Sequence, residues 1–162
     1  MGLKKLAIMA VVLLSTATAH AQFEQGKVYC GASLSSLGLS YNGSSELNFG
    51  VHAQVGYLFA DNLMGVGTLS YNHYGSSETD DYFSVGVQGR YYIIQNGLYL
   101  GAGAKFTHVG NYNDVLPGVE VGYAFFVSKT VTIEPALYYD QSFKDHSNYS
   151  TIGLKVGVGV YL

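Results

Sequence analysis

The sequence predicts an all-β fold: an eight-stranded antiparallel up-and-down transmembrane β-barrel. Three observations lead there. Apolar and polar residues alternate with a period of two in eight separate segments, the mark of a strand with two unlike faces. Beyond residues 1–21 no window carries helical periodicity of useful length. The chain holds 15 tyrosines and 21 glycines but only 2 prolines, a composition suited to strands rather than to a disordered tail.

The opening MGLKKLAIMAVVLLSTATAHA is a different kind of segment. Lys4 and Lys5 precede an apolar run from Leu6 to Leu14, and Ala19-His20-Ala21 forms a small-residue cleavage pattern. This is the layout of a secretory signal peptide over residues 1–21, and the apolar run is too short for a membrane-spanning helix. The expected mature barrel domain is residues 22–162, 141 residues by subtraction (162 − 21), a length suited to one domain. Losing Lys4 and Lys5 takes the basic count from 8 to 6 against 11 acids, so the mature net charge is −5, which argues against nucleic acid as a partner. Cys30 is the one cysteine, so no internal disulfide forms, and it reads as a small apolar filler in a strand.

The first strand spans about 27–34, with Val28, Cys30, Ala32 and Leu34 on one face. Leu37, Leu39 and Tyr41 continue in the opposite phase, which predicts a bulge. In the second, FGVHAQVGYLF over 49–59, Phe49, Val51, Ala53, Val55, Tyr57 and Phe59 oppose His52, Gln54 and Gly56. The third, about 63–73, sets Leu63, Leu69 and Tyr71 against Met64, Val66 and Thr68. The fourth, about 82–93, sets Phe83, Val85, Val87, Tyr91 and Ile93 against Ser84, Gly86, Gln88 and Arg90. The fifth, LYLGAGAKF, alternates Leu98, Leu100, Ala102, Ala104 and Phe106 with Gly101, Gly103 and Lys105. The sixth, about 116–126, opposes Val119, Val121, Tyr123 and Phe125 to Gly118, Glu120, Gly122 and Ala124. The seventh, VTIEPALYY, opposes Val131, Ile133, Pro135, Leu137 and Tyr139 to Thr132, Glu134 and Tyr138; Pro135 forgoes a ladder hydrogen bond. The eighth, about 151–162, ends in the strictly alternating GLKVGVGVYL.

The connections fall into two classes. Asp61-Asn62, Gln95-Asn96-Gly97 and Ser128-Lys129-Thr130 are tight turns. Residues 35–47, 73–81, 107–115 and 140–150 read as longer loops, rich in Asn, Ser, Gly, Asp and Tyr. Short and long alternate, as they do in a meander with all its short turns at one end. An even strand count, an apolar face with aromatics near the strand ends, short turns and long loops are together the signature of an outer-membrane barrel. The aromatic set is Phe49, Tyr57, Phe59, Phe83, Tyr91, Phe106, Tyr123, Phe125 and Tyr139, expected to face lipid. The opposite face carries an expected interior polar network of His52, Gln54, Gln88, Arg90, Lys105, Glu120, Glu134 and Lys155, among many glycines. The alternative is a soluble lipocalin-like ligand-binding barrel, with the two faces exchanged.

On these residues the chain resembles the small outer-membrane β-barrel proteins of Gram-negative bacteria, the OmpA-like/OmpX-like superfamily, over its whole mature length. In that group the last strand alternates and ends on an aromatic residue. Val156, Val158 and Val160 match, whereas the chain ends on Leu162 and places Tyr161 in the other phase. The resemblance implies residence in the cell outer membrane, contact with outer-membrane lipid and lipopolysaccharide, and handling by the barrel-assembly machinery during biogenesis. It also implies a porin-like wall without a wide pore, since eight strands enclose little more than their own side chains.

No zinc spacing or nucleotide fingerprint is present, so neither metal nor cofactor is expected. GAGAKF at 101–106 lacks the helix and hydroxyl of a phosphate loop and reads as barrel wall. Some small barrels resemble lipid-A-modifying enzymes, and His108 with Ser147 would be the nearest candidates for such chemistry. Glu120 and Glu134 share the interior with three cations, which favours an ion network over acid–base catalysis. No catalytic residue is assigned. The expected function is structural or interaction-type, with the loops YNGSSELN, YNHYGSSETDD, THVGNYND and YDQSFKDHSNYS offered to an unknown ligand. Inside, Lys105 is expected to pair with Glu120, and Glu134 to neighbour Lys155.

Overall fold

The computed structural model describes residues 22–36, 38–39, 49–73, 82–93, 97–144 and 150–162. The expected signal segment 1–21, most of the expected loops 35–47 and 73–81, and residues 145–149 of the loop 140–150, Ser147 among them, lie outside these residues. The chain forms eight long strands: β1 (Val28–Ser36, prolonged by Gly38–Leu39), β2 (Phe49–Ala60), β3 (Leu63–His73), β4 (Tyr82–Tyr92), β5 (Leu98–Val109), β6 (Tyr112–Tyr123, prolonged by Phe125–Phe126), β7 (Val131–Asp140) and β8 (Thr151–Tyr161). Each pairs antiparallel with its neighbours in sequence, and β8 pairs with β1 from Tyr29↔Tyr161 to Leu34↔Val156. The sheet therefore closes on itself and leaves no free edge.

Two irregularities have sequence causes. Were the first register of β1 with β8 continued, Gly38 would face Ile152; it faces Gly153 instead. One extra residue on the β1 side is a bulge, at the phase change the alternation predicted. The β6–β7 ladder breaks between Gly122↔Ala136 and Phe125↔Ile133, and Pro135 falls in that gap, where its missing N–H leaves no donor unpaired. On the other side of β6, Ala124 N–H continues the β5–β6 ladder to Gly97 O at 2.8 Å.

One expected loop is a correction. Residues 107–115 are not a long connection: β5 runs on to Val109, β6 begins at Tyr112, and Gly110-Asn111 alone turns the chain. Gly110 takes φ +53°, a left-handed value that glycine tolerates without strain. Polar residues misled the reading, because a strand rising out of the membrane is solvated on both faces.

The faces are the inverse of those of a water-soluble barrel. Outward side chains are apolar and exposed, as with Val87 at 69 %, Val55 at 62 % and Val119 at 58 %. Inward ones include Arg90 at 0 % and Glu134 at 4 %. Such an apolar band around a charged interior is stable only with hydrocarbon outside. Cys30 lies on this outward face.

Candidate functional site

The interior has three storeys, set by which inward residue each strand supplies at each height. At the end with the tight turns, Tyr29, Tyr92, Tyr99 and Tyr161 come from the first or last inward positions of β1, β4, β5 and β8, and Phe23 joins them from the segment before β1. All five are 2 % exposed or less. Phe23 stacks on Tyr92 with centroids 3.8 Å apart, and Tyr92 Oη lies 2.7 Å from Tyr161 Oη. Leu58, Met64 and Val66 fill the same layer from β2 and β3.

Above this lies a buried ion cluster. Arg90 on β4 donates Nη1–H to Glu134 Oε2 at 3.0 Å and Nη2–H to Glu120 Oε1 at 3.3 Å. Its guanidinium carbon sits 4.2 Å from the centre of the Tyr99 ring. Glu134 also accepts from Tyr29 Oη at 2.9 Å, Tyr161 Oη at 3.0 Å and Thr132 Oγ1 at 2.7 Å. Lys155 closes the cluster by pairing with Glu120. Both oxygens of the Glu134 carboxylate are thus supplied with donors by protein groups, the condition under which a buried carboxylate is tolerated.

The storey nearest the loops is polar and wetter. His52 links two serines: Nε2 lies 2.8 Å from Ser35 Oγ and Nδ1 lies 2.6 Å from Ser70 Oγ. Lys105 pairs with Asp140, and the Lys105 and Lys155 ammonium groups stand 5.7 and 5.8 Å from the Tyr138 ring centre. Gln88 and Gln54 also face in; among the described residues the Gln88 Nε2 has no partner. A cavity of about 70 Å³ remains between these groups. That holds about two waters and falls well short of the roughly 300 Å³ of a small-molecule pocket.

All eight residues assigned to the interior from sequence thus line it, in two groups. Arg90, Glu120, Glu134 and Lys155 meet in the middle storey; His52, Gln54, Gln88 and Lys105 line the upper one. The expected Lys105–Glu120 pair is a correction. Across the β5–β6 ladder Lys105 faces Leu116 and Glu120 faces Gly101, four residues apart, so Lys105 finds Asp140. Glu134 and Lys155 do neighbour each other, two residues apart in register on β7 and β8, while their ionic partners are Arg90 and Glu120.

Among the aromatics, Tyr57, Phe59, Phe83, Tyr91, Phe106 and Phe125 are exposed on the outer wall, and Tyr123 and Tyr139 are half-buried there. Phe49 opens β2, and its side chain is outside the described residues. Sequence reasoning put Tyr161 in the phase opposite the apolar face but missed Tyr29, Tyr92 and Tyr99, although their phase opposite Val28, Tyr91 and Leu98 carried the signal. Phe23 lay on no predicted strand and left none.

The loop end continues past this wall as the β5–β6 hairpin. Ser142 Oγ donates to Asp114 Oδ2 at 2.6 Å and Gln141 N–H to Pro117 O at 2.8 Å, bracing the segment after β7 against it. Exposed Phe143, Lys144 and His108 stand at this rim. His108 Nδ1 lies 2.6 Å from Asn113 Oδ1. Among the described residues no cluster of metal-ligating side chains forms.

Residues 7–162 match the family described as outer membrane protein beta-barrel domain. No curated protein matches the chain. Solved structures share the fold at low identity. The N-terminal β-barrel domain of Pseudomonas aeruginosa OprF is 14 % identical with a TM-score of 0.65, over 85 % of this chain and 98 % of that one. Neisserial surface protein A is 19 % identical with a TM-score of 0.58, over 83 % and 95 %. The Yersinia pestis outer membrane protein Ail, in a phospholipid bilayer nanodisc, is 14 % identical with a TM-score of 0.56, over 85 % and 100 %.

Proposed function

The chain belongs to the outer membrane protein β-barrel family and resides in the outer membrane, and from that premise we propose a structural or interaction-type barrel whose external rim is its recognition surface. The observation that carries this reading is the filled interior. Among the described residues, aromatic and ionic storeys with Arg90, Tyr92, Tyr99 and Tyr161 at 2 % exposure or less fill the barrel, which supports a role carried by the ends and the outer wall. The tight-turn end faces the periplasm and the loop end faces outward, as in bacterial barrels generally. The braced β5–β6 hairpin supports a presenting role, because Gln141, Ser142 and Lys144 bond to it and leave Phe143 exposed between them, near exposed His108. The apolar wall contacts outer-membrane lipid and, in the outer leaflet, lipopolysaccharide; the barrel-assembly machinery inserts the chain. Residues 1–21 are the signal removed on export.

Purified protein in planar bilayers is expected to show no steady porin-sized conductance, and lipid A from a deletion strain to keep its mass. A steady conductance would make the chain a pore. A change in acyl-chain mass would make it a lipid-A-modifying enzyme.

A further inference from the structure

We propose that residues 22–27 are a stopper that closes the tight-turn end of the barrel, with Phe23 as its wedge. This goes beyond the interaction reading and does not depend on it. Phe23 precedes β1 and belongs to no ladder, yet it is 0 % exposed. Besides stacking on Tyr92, it meets Tyr161 and Phe126 edge-on at 5.5 and 5.6 Å. A phenylalanine next to a barrel mouth could lie in lipid or in water; this one is held inside by rings on three strands, each contact favouring the inserted state.

The backbone around it is tied to the neighbouring β2–β3 hairpin. Asn62 N–H donates to Phe23 O at 2.8 Å, Gln25 N–H to Asp61 Oδ1 at 2.9 Å and Gln25 Nε2–H to Phe59 O at 3.1 Å. Gly26 N–H donates to Leu58 O at 2.7 Å. These bonds fasten the segment to the adjacent β2–β3 hairpin, with Gly26 and Lys27 continuing the β1–β2 ladder, and it is the Phe23 ring that reaches over the mouth to Tyr92, Phe126 and Tyr161 on β4, β6 and β8. Directly above the wedge lies the Tyr92–Tyr161 hydroxyl pair, and above that Glu134. The stopper therefore keeps water from the ion cluster at this end. The barrel becomes a blind cup, with its small polar cavity at the opposite end. Because the strap hangs on a turn and one aromatic, its release leaves the eight-stranded ladder intact.

The test uses the full chain with Cys30→Ser, so that Met64→Cys is the one thiol. Met64 faces inward in the aromatic layer and is 0 % exposed. Its modification by a small water-soluble maleimide is timed in detergent micelles, with folding checked by mobility on an unboiled gel. Phe23→Ala should accelerate labelling at least tenfold over Phe23, while Phe23→Leu stays within about threefold. Should Phe23→Ala fold poorly, the series Phe, Leu, Val at position 23 replaces it, and labelling should quicken as the wedge shrinks. Rates that are flat across either set overturn the stopper.

Discussion

The two ends of the interior are built from the same strands in the same phase, yet they are unlike. Near the tight turns the inward positions carry Tyr29, Tyr92, Tyr99 and Tyr161, and Arg90 is 0 % exposed. Near the loops they carry His52, Ser70, Lys105 and Asp140, and the Lys105 side chain is 25 % exposed. Barrel geometry is the same at both heights, so side-chain volume decides which storey is dry. The lesson is energetic: an ion pair of one chemical type should be worth several times more below than above, because below there is no water to replace a lost partner.

The largest expected effect follows directly. Arg90→Met strands Glu120 and Glu134 in a dry layer, and only Glu120 keeps a cation, Lys155. We expect a loss of about 3–5 kcal/mol in urea unfolding measured in lipid vesicles. Arg90→Met costing no more than Lys105→Met would erase the distinction between the storeys.

Two intermediate effects probe hydrogen bonding in the lower interior and backbone packing beside the upper cavity. Tyr161→Phe removes the hydroxyl that contacts Tyr92 and donates to Glu134, leaving ring packing unchanged. A loss of about 1–3 kcal/mol is expected, in line with a buried polar group losing its partner. Gly103→Ala should cost a similar amount: a Cβ there would lie 2.2 Å from Val87 O, a backbone atom that cannot step aside. Gly67→Ala, on the lipid-facing side with nothing nearer than 3.8 Å, is the matched control and should be neutral or slightly stabilising. The same unfolding assay ranks all three; equal costs at positions 103 and 67 would show that the interior is not close-packed.

The outer wall was legible in the sequence because lipid imposes one demand, apolarity, at every second residue. Val51, Val55, Val85 and Leu154 could be placed outward from alternation alone, and all are exposed. The interior was legible only by phase. His52 and Arg90 could be assigned inward, but their partners depend on strand stagger, which composition does not encode; hence Lys105 was paired with Glu120 instead of Asp140. Tyrosine was ambiguous, since the same residue type serves at a membrane interface and in a narrow core. Tyr91 faces out and Tyr92 faces in, and only their parity distinguishes them. Phe23 was invisible because a strap carries no periodicity.

The smallest effect sharpens the comparison most, because it sets the upper storey against a specific rival. Lys105 and Asp140 pair where the side chains are 25 % and 12 % exposed, so water can take over from either partner. Lys105→Met and Asp140→Asn should each cost less than Arg90→Met, and their coupling in a double-mutant cycle should be about 0.2–1 kcal/mol, falling as salt rises. Lys105→Met with Glu120→Gln should instead be additive within about 0.5 kcal/mol, since register separates them by four residues on neighbouring strands. Coupling of Lys105 to Glu120 with none to Asp140 would mean that β5 and β6 sit in another register. The Arg90 cluster, which depends on the same ladder to bring Glu120 opposite Gly101, would then have to be redrawn with it.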